Sequence, residues 1–177
     1  MTGPDWSGGA AAAASRELVE VVDEWGAVLR VVTRAEMRAG HLRHRTVFIA
    51  VLDHDGRRLL VHRRADWKDV WPSRWDLAFG GVLGVGEDWD AAAHRELAEE
   101  AGVTTELTYL GEALYDDADV HENSRIYLAR YDGPFSFPDG EVAEVAWVDL
   151  DELTAWLEGH ETCPDTVALV PPRLPVR

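Results

Sequence analysis

Four carboxylates stand together in this chain: Glu87 just before one predicted helix, and Glu96, Glu99 and Glu100 within it. The segment from Asp88 to Ala101 is rich in strong helix formers, and Gly102 stands where a left-handed C-cap would end it. Asp88 or Asp90 serves the N-terminus, where a side-chain oxygen and a negative charge both help. At about 100° per residue the three helical glutamates fall within an arc of roughly 100°. Ala93, Leu97 and Ala101 repeat every four residues on the adjacent arc, so one side packs and the other displays acid. Like charges at Glu96 and Glu100 destabilise an isolated helix by ~0.2–0.5 kcal/mol, and Arg95 relieves part of this by pairing with Glu99. A divalent cation would reverse the sign of the whole cluster. Hard oxygen ligands select Mg²⁺, Mn²⁺ or Ca²⁺ over zinc, and Mg²⁺ is commonly shared between carboxylates and substrate phosphates. The pattern therefore points to phosphate chemistry.

The elements that must position these acids come immediately before the helix. Phe79-Gly80-Gly81-x-x-Gly84-x-Gly86 joins an apolar strand-like segment, Asp76 to Phe79, to the helix start, and glycine lets backbone approach a ligand closely. Gly81 through Val103 resembles the Nudix box, G-x5-E-x7-R-E-U-x-E-E-x-G-U, with no departure at any fixed position. The resemblance implies an α/β fold, the Nudix α/β/α sandwich with a mixed β-sheet between helices. It implies hydrolysis of a diphosphate linkage in a nucleoside diphosphate derivative or similar small molecule, with Mg²⁺ as cofactor and Mn²⁺ as the alternative ion. Glu96, Glu99 and Glu100 would hold the metal, joined by the carbonyl of Gly80. Glu96, Arg95 and Glu99 would form the catalytic set, with Glu87 and Gly81 bracing the loop. The metal would neutralise phosphate oxygens and lower the pKa of a bound water. Glu96 is one candidate base; Glu122, Glu141 and Glu144 are candidates from later segments, and the sequence does not choose among them.

The resemblance extends from about Leu18 to Trp156. Leu42 to Phe48, Arg63-Arg64-Ala65 with Lys68, and Trp71-Pro72-Ser73-x-Trp75-Asp76 resemble the isopentenyl-diphosphate-isomerase-like branch of Nudix proteins. Tyr131 to Phe135 and Glu141-Val142-x-Glu144-x-x-Trp147 fit the same branch. By that resemblance Arg64 and Lys68 would contact the diphosphate, as a guanidinium and an ammonium suit an anion. His44 and Glu122 match metal-coordinating positions of the isomerases; His44 is read as a structural residue at a strand start. The isomerase cysteine is replaced by Gly80 and its metal-ligand histidine by Val82, while the box glutamates are intact. These departures disfavour isomerisation of isopentenyl diphosphate. A non-catalytic ligand-sensing module, the third alternative, would be expected to lose some of the glutamates.

The remaining chain suits one compact enzyme. Its 177 residues are enough for a single domain, expected over 16–160, with an N-terminal tail at 1–15 and a Pro-rich C-terminal tail at 161–177. A net charge of −16 argues against a nucleic-acid polymer or an anionic membrane as partner and leaves a small-molecule diphosphate. The resemblance also carries the expectation of a homodimer. Cys163 is the only cysteine, which suits a reducing compartment, and the alanine run near Ala10 is too short for a signal core or membrane span; the expected location is cytoplasmic. Strands are expected at Leu18–Val22, Val28–Thr33, Thr46–Leu52, Arg58–Arg63, Thr105–Leu114, Ser124–Tyr131 and Val142–Val148, with helices at Ala35–Ala39 and Leu150–Glu158. Trp67, Trp71 and Trp75, spaced by four, are either a stacking platform for a base or scaffold, and scaffold is the commoner role.

Overall fold

The computed structural model describes residues 13–175. The expected N-terminal tail over 1–15 falls, for its first twelve residues, outside the described residues. Strand β1 (Leu18–Val22) and strand β2 (Val28–Thr33) pair antiparallel across a turn in which Asp23 Oδ1 accepts from the amides of Trp25 and Ala27. Helix α1 (Arg34–Ala39) follows directly because Thr33 and Glu36 form a reciprocal capping box.

Strand β3 (His44–Leu52) is the centre of the sheet, and its uninterrupted apolar run reflects burial on both faces. It runs parallel to β8 (His121–Arg130) and antiparallel to β4 (Arg58–Arg64) and β6 (Phe79–Val82). Strands β5 (Trp75–Asp76), β7 (Leu107–Asp116) and β9 (Val142–Asp149) complete the nine found among the described residues. The segment expected as one strand from Asp76 to Phe79 divides, its two ends pairing with different neighbours, β4 and β3.

Alternation along β3 feeds two cores. Phe48, Ala50 and Leu52 join one with Leu153 of helix α3 (Leu153–Glu158) and Leu169 of helix α4 (Pro164–Leu169). Val47, Ile49 and Val51 join the other with Ala92, Ala93, Leu97 and Ala101 of helix α2 (Trp89–Ala101). Helices thus cover both faces of a mixed sheet, as expected for the α/β/α sandwich.

The C-terminal tail expected over 161–177 requires correction over 161–175, its last two residues lying outside the described residues. Cys163 and Val170 are fully buried, Leu169 and Leu174 nearly so, and the Cys163 amide donates to the Trp75 carbonyl at 2.8 Å. Proline misled the reading because Pro171 and Pro172 open a short 3-10 helix (Pro171–Arg173), where a missing N–H costs nothing, as Pro164 does at the start of α4.

Candidate active site

The geometry of α2 follows from local chemistry. Asp88 caps it by accepting from the amides of Asp90 and Ala91, and Gly102 ends it at φ 65°. Leu97 and its alanine neighbours bury one face, so Glu96 and Glu100 are carried to the margin of the core, while Glu99 stays more exposed.

The loop between β6 and α2 is braced by charge. Arg95 engages Glu87 with two N–H groups, Nε to Oε1 at 2.7 Å and Nη2 to Oε2 at 2.9 Å, and spends Nη1 on Glu96 (2.8 Å) and Glu99 (3.0 Å). A bidentate guanidinium fixes direction as well as charge. Glu87 Oε2 also accepts from the Gly84 amide at 2.8 Å. A second brace escaped the sequence reading. Arg45 of β3 donates to the Glu87 carbonyl at 3.3 Å and to Glu20 of β1 at 2.6 Å, and Glu20 accepts from the Gly86 amide at 3.0 Å.

Gly80 and Gly81 are required by close approach. A Cβ at Gly80 would stand 1.9 Å from the Val47 carbonyl oxygen, and one at Gly81 would stand 2.5 Å from Glu96 Oε1. The Gly80 amide donates to Glu100 Oε2 at 2.9 Å.

Together these residues line a cleft of about 610 Å³. Glu87, Arg95, Glu96, Glu99 and Glu100 reach it, as do Gly80, Gly81, Lys68 and Glu141. Asp139 and Arg34 also line it and were missed. Asp139 had a legible signal, since Asp139-Gly140 is a turn two residues from Glu141, and its Oδ1 accepts from the Glu141 amide at 3.0 Å. Arg34, on the distant α1, had none. Glu100, Asp139 and Glu141 each bring a carboxylate oxygen within 4.8 Å of the others, and Lys68 Nζ is ion-paired to Glu141 Oε2.

The electrostatics show an acid cluster short of positive charge. Burial pushes the Glu96 carboxyl up to about 7 against the pull of Arg95, and burial also lifts Glu100 well above the usual carboxylate range, with Lys68 opposing and Glu96 reinforcing. Glu141 is buried too, but Lys68 overrides that effect and holds it below its ordinary value. Hard oxygens, buried and mutually repelling, match a divalent cation in donor type and in charge.

Three expected site residues lie elsewhere. Arg64, expected to meet the diphosphate, turns inward to Asp76 Oδ2 (3.1 Å) and the Val70 carbonyl (3.1 Å), because its strand end is packed against buried Asp76. Its contribution is to hold the loop that carries Lys68. Glu122 is buried beside His44, in register across β3 and β8, with Oε1 3.6 Å from Nε2. Glu144 is exposed on β9 and pairs with Arg63 at 3.1 Å. Neither Glu122 nor Glu144 lines the cleft.

The profile of the NUDIX domain matches residues 42–166. The chain belongs to the Nudix family. It is 35% identical over 156 residues to the Nudix hydrolase YfcD of Escherichia coli (strain K12), a match covering 87% of this chain and 84% of that one. It is 39% identical over 155 residues to a Nudix hydrolase of Streptomyces coelicolor, covering 84% and 83%. Among solved structures, the Deinococcus radiodurans protein DR0079 superposes with a TM-score of 0.76 at 23% identity, over 90% of this chain and all of that one. The NUDIX domain of Shewanella oneidensis NrtR, solved with ADP ribose, gives 0.59 at 20% identity, over 78% and 95%. At those identities the structural matches show the fold. This chain is thus a Nudix hydrolase, of a family that generally uses divalent metal ions and acts on small molecules. Among the described residues no helix is long and apolar enough to cross a membrane.

Proposed function

We propose that this Nudix hydrolase cleaves the diphosphate linkage of a nucleoside diphosphate derivative or similar small molecule in a Mg²⁺-dependent reaction. The observation that carries the reading is the convergence of Glu96, Glu100, Asp139 and Glu141 on one cleft that also holds Lys68 and Arg34. Glu96, Glu99 and Glu100, with the Gly80 carbonyl, would hold the ion, and Asp139 and Glu141 extend that oxygen set. Such an ion, when bound, draws charge from phosphate oxygens and acidifies water. The chain's own residues do the rest. Arg95 orients Glu96 and Glu99, and Glu96 accepts a proton from the attacking water. Lys68 and Arg34 supply fixed positive charge for phosphate oxygens.

Isomerisation of isopentenyl diphosphate fits the chain poorly. The branch resemblance places a cysteine where Gly80 has no room for a Cβ, and Val82 packs with Val19 and Met37. Cys163 is fully buried, and burial together with the nearby Asp76 carboxylate pushes its thiol up. The full set of box glutamates supports turnover over mere sensing. A product-resolved screen of a pyrophosphate library with Mg²⁺ and Mn²⁺ tests the reading: metal-dependent cleavage of at least one member is expected. A folded protein inert across the library would overturn it.

A further inference from the structure

Glu87 is held at both of its ends. Its carboxylate takes two donors from Arg95, and its carbonyl accepts from Arg45 Nη1 at 3.3 Å. Arg45 belongs to the central strand β3, so this second contact ties the loop to the sheet and not to its own helix. The same arginine meets the loop at two further points. Its backbone carbonyl accepts from the Leu83 amide at 3.0 Å, where the loop leaves β6. Its guanidinium carbon lies 5.3 Å from the centre of the Trp89 ring, where α2 begins. Arg45 Nη2 donates to Glu20 Oε2 at 2.6 Å, and the other oxygen of Glu20 accepts from the Gly86 amide at 3.0 Å. Strand β1 adds a backbone bridge from Val19 to Gly84.

Neither Arg45 nor Glu20 lines the cleft. What they fix is Glu87 and, through Arg95, the direction of Glu96 and Glu99. Both side chains are mostly covered, 14% and 11% exposed, so water competes little for the pair. A planar guanidinium serves Glu20, the Glu87 carbonyl and the Trp89 face together, because its donors diverge while its faces stay free. An ammonium has no such geometry.

We infer that Arg45 and Glu20 are positioning residues that set the affinity of the metal site by holding residues 84–87 against the sheet. The inference rests on the reading of the box glutamates as metal ligands, and it makes strand β1, outside the box, part of what tunes them. Charge alone would give the opposite sign for Arg45. Removing a cation near an acid cluster strengthens its attraction for Mg²⁺, whereas loss of position weakens it.

Hydrogen exchange and Mg²⁺ calorimetry on the full chain test this without substrate. In Arg45→Gln and in Arg45→Lys, the amides of residues 84–87 should exchange faster in the metal-free protein. Both variants should bind Mg²⁺ about tenfold more weakly, the lower end of the cost when a group that orients ligands is lost. Turnover at saturating Mg²⁺ should recover most of its native value, since every ligand is still present. Glu20→Ala, which frees the Gly86 amide, should reproduce the faster exchange. Arg43→Gln is the matched control. Arg43 is also 14% exposed and pairs with Asp116 away from the cleft, so its loss should leave loop exchange and Mg²⁺ affinity native. Native or tighter Mg²⁺ binding in both Arg45 variants, or unchanged loop exchange, overturns the proposal. Equal weakening in Arg43→Gln overturns it too, as the mark of a general loosening of the sheet. Failure of the hydrolase reading shows elsewhere, in a native chain that binds no Mg²⁺ or cleaves no pyrophosphate.

Discussion

The α-carbon of Gly81 lies against the carboxylate of Glu96 so closely that a single added methyl would stand 2.5 Å from Oε1 and 2.7 Å from Oε2. The strand before the loop and the first glutamate of the helix are therefore one mechanical unit. Gly81→Ala should displace Glu96 and its Arg95 contact, weakening Mg²⁺ binding and activity by about 10–100-fold, the range seen when groups that orient ligands are lost. Metal titration and steady-state kinetics check this; native Mg²⁺ affinity in the variant would contradict it.

Glu100 sits in a trade-off between function and stability. Its carboxylate is buried with Glu96 and Glu141 nearby, and the Gly80 amide is its hydrogen-bond donor. Glu100→Gln keeps an acceptor for that amide and removes the repulsion. The variant should lose at least about a hundredfold in turnover, while the metal-free protein melts no lower than the native one, and higher at neutral pH.

Mg²⁺ should raise the melting temperature of the native chain, by the equivalent of about 2.7 kcal/mol at a hundred times its dissociation constant. The effect should be larger at pH 8 than at pH 6. Glu96 titrates at about 7 without metal, so below that pH a proton competes with the ion. Thermal scans at the two pH values, with and without Mg²⁺, decide it; a shift that is equal at both would remove Glu96 from the ligand set.

His62 sets a separate acid dependence. It is buried, stacked on Phe79 at 4.5 Å with the rings 7° from parallel, and Nδ1 has no partner. Burial lowers its pKa to about 4, with Arg64 and Lys68 adding to the fall and Asp76 opposing it. Between about 4 and 6.5 the unfolded chain binds the proton and the folded chain refuses it, so this contribution is complete above 6.5 and lost as pH falls towards 4. Relative to His62→Phe, the native protein should lose about 3 kcal/mol of stability between pH 7 and pH 4. Parallel urea titrations across that range measure the difference.

Gly80→Cys places a thiol where the isomerase-like branch would have one, and the geometry forbids the result. The Cβ would meet the Val47 carbonyl at 1.9 Å, in the central register of β3 and β6. We expect a loss of several kcal/mol, on the order of other strained backbone substitutions, and no allylic product from isopentenyl diphosphate. Appearance of that product in an isotope-labelled assay would refute the argument.

The sequence by itself determined the acid-bearing helix to within one residue at its start, because its cap, its stop and its packed face are all local. The Arg95 and Glu87 braces came from the resemblance to the Nudix box, which could supply them because the partners lie within eight positions of one another. The tertiary structure alone decided which later acids join them. Glu122, Glu141 and Glu144 look alike along the chain, yet strand pairing buries the first beside His44, exposes the third to Arg63, and brings only Glu141 to Glu100. Arg64 and Lys68 stand four positions apart and differ in the same way: buried Asp76 captures one, and the loop beyond carries the other to the cleft. Side-chain direction depends on neighbours that are distant in sequence. Only the folded sheet supplies them.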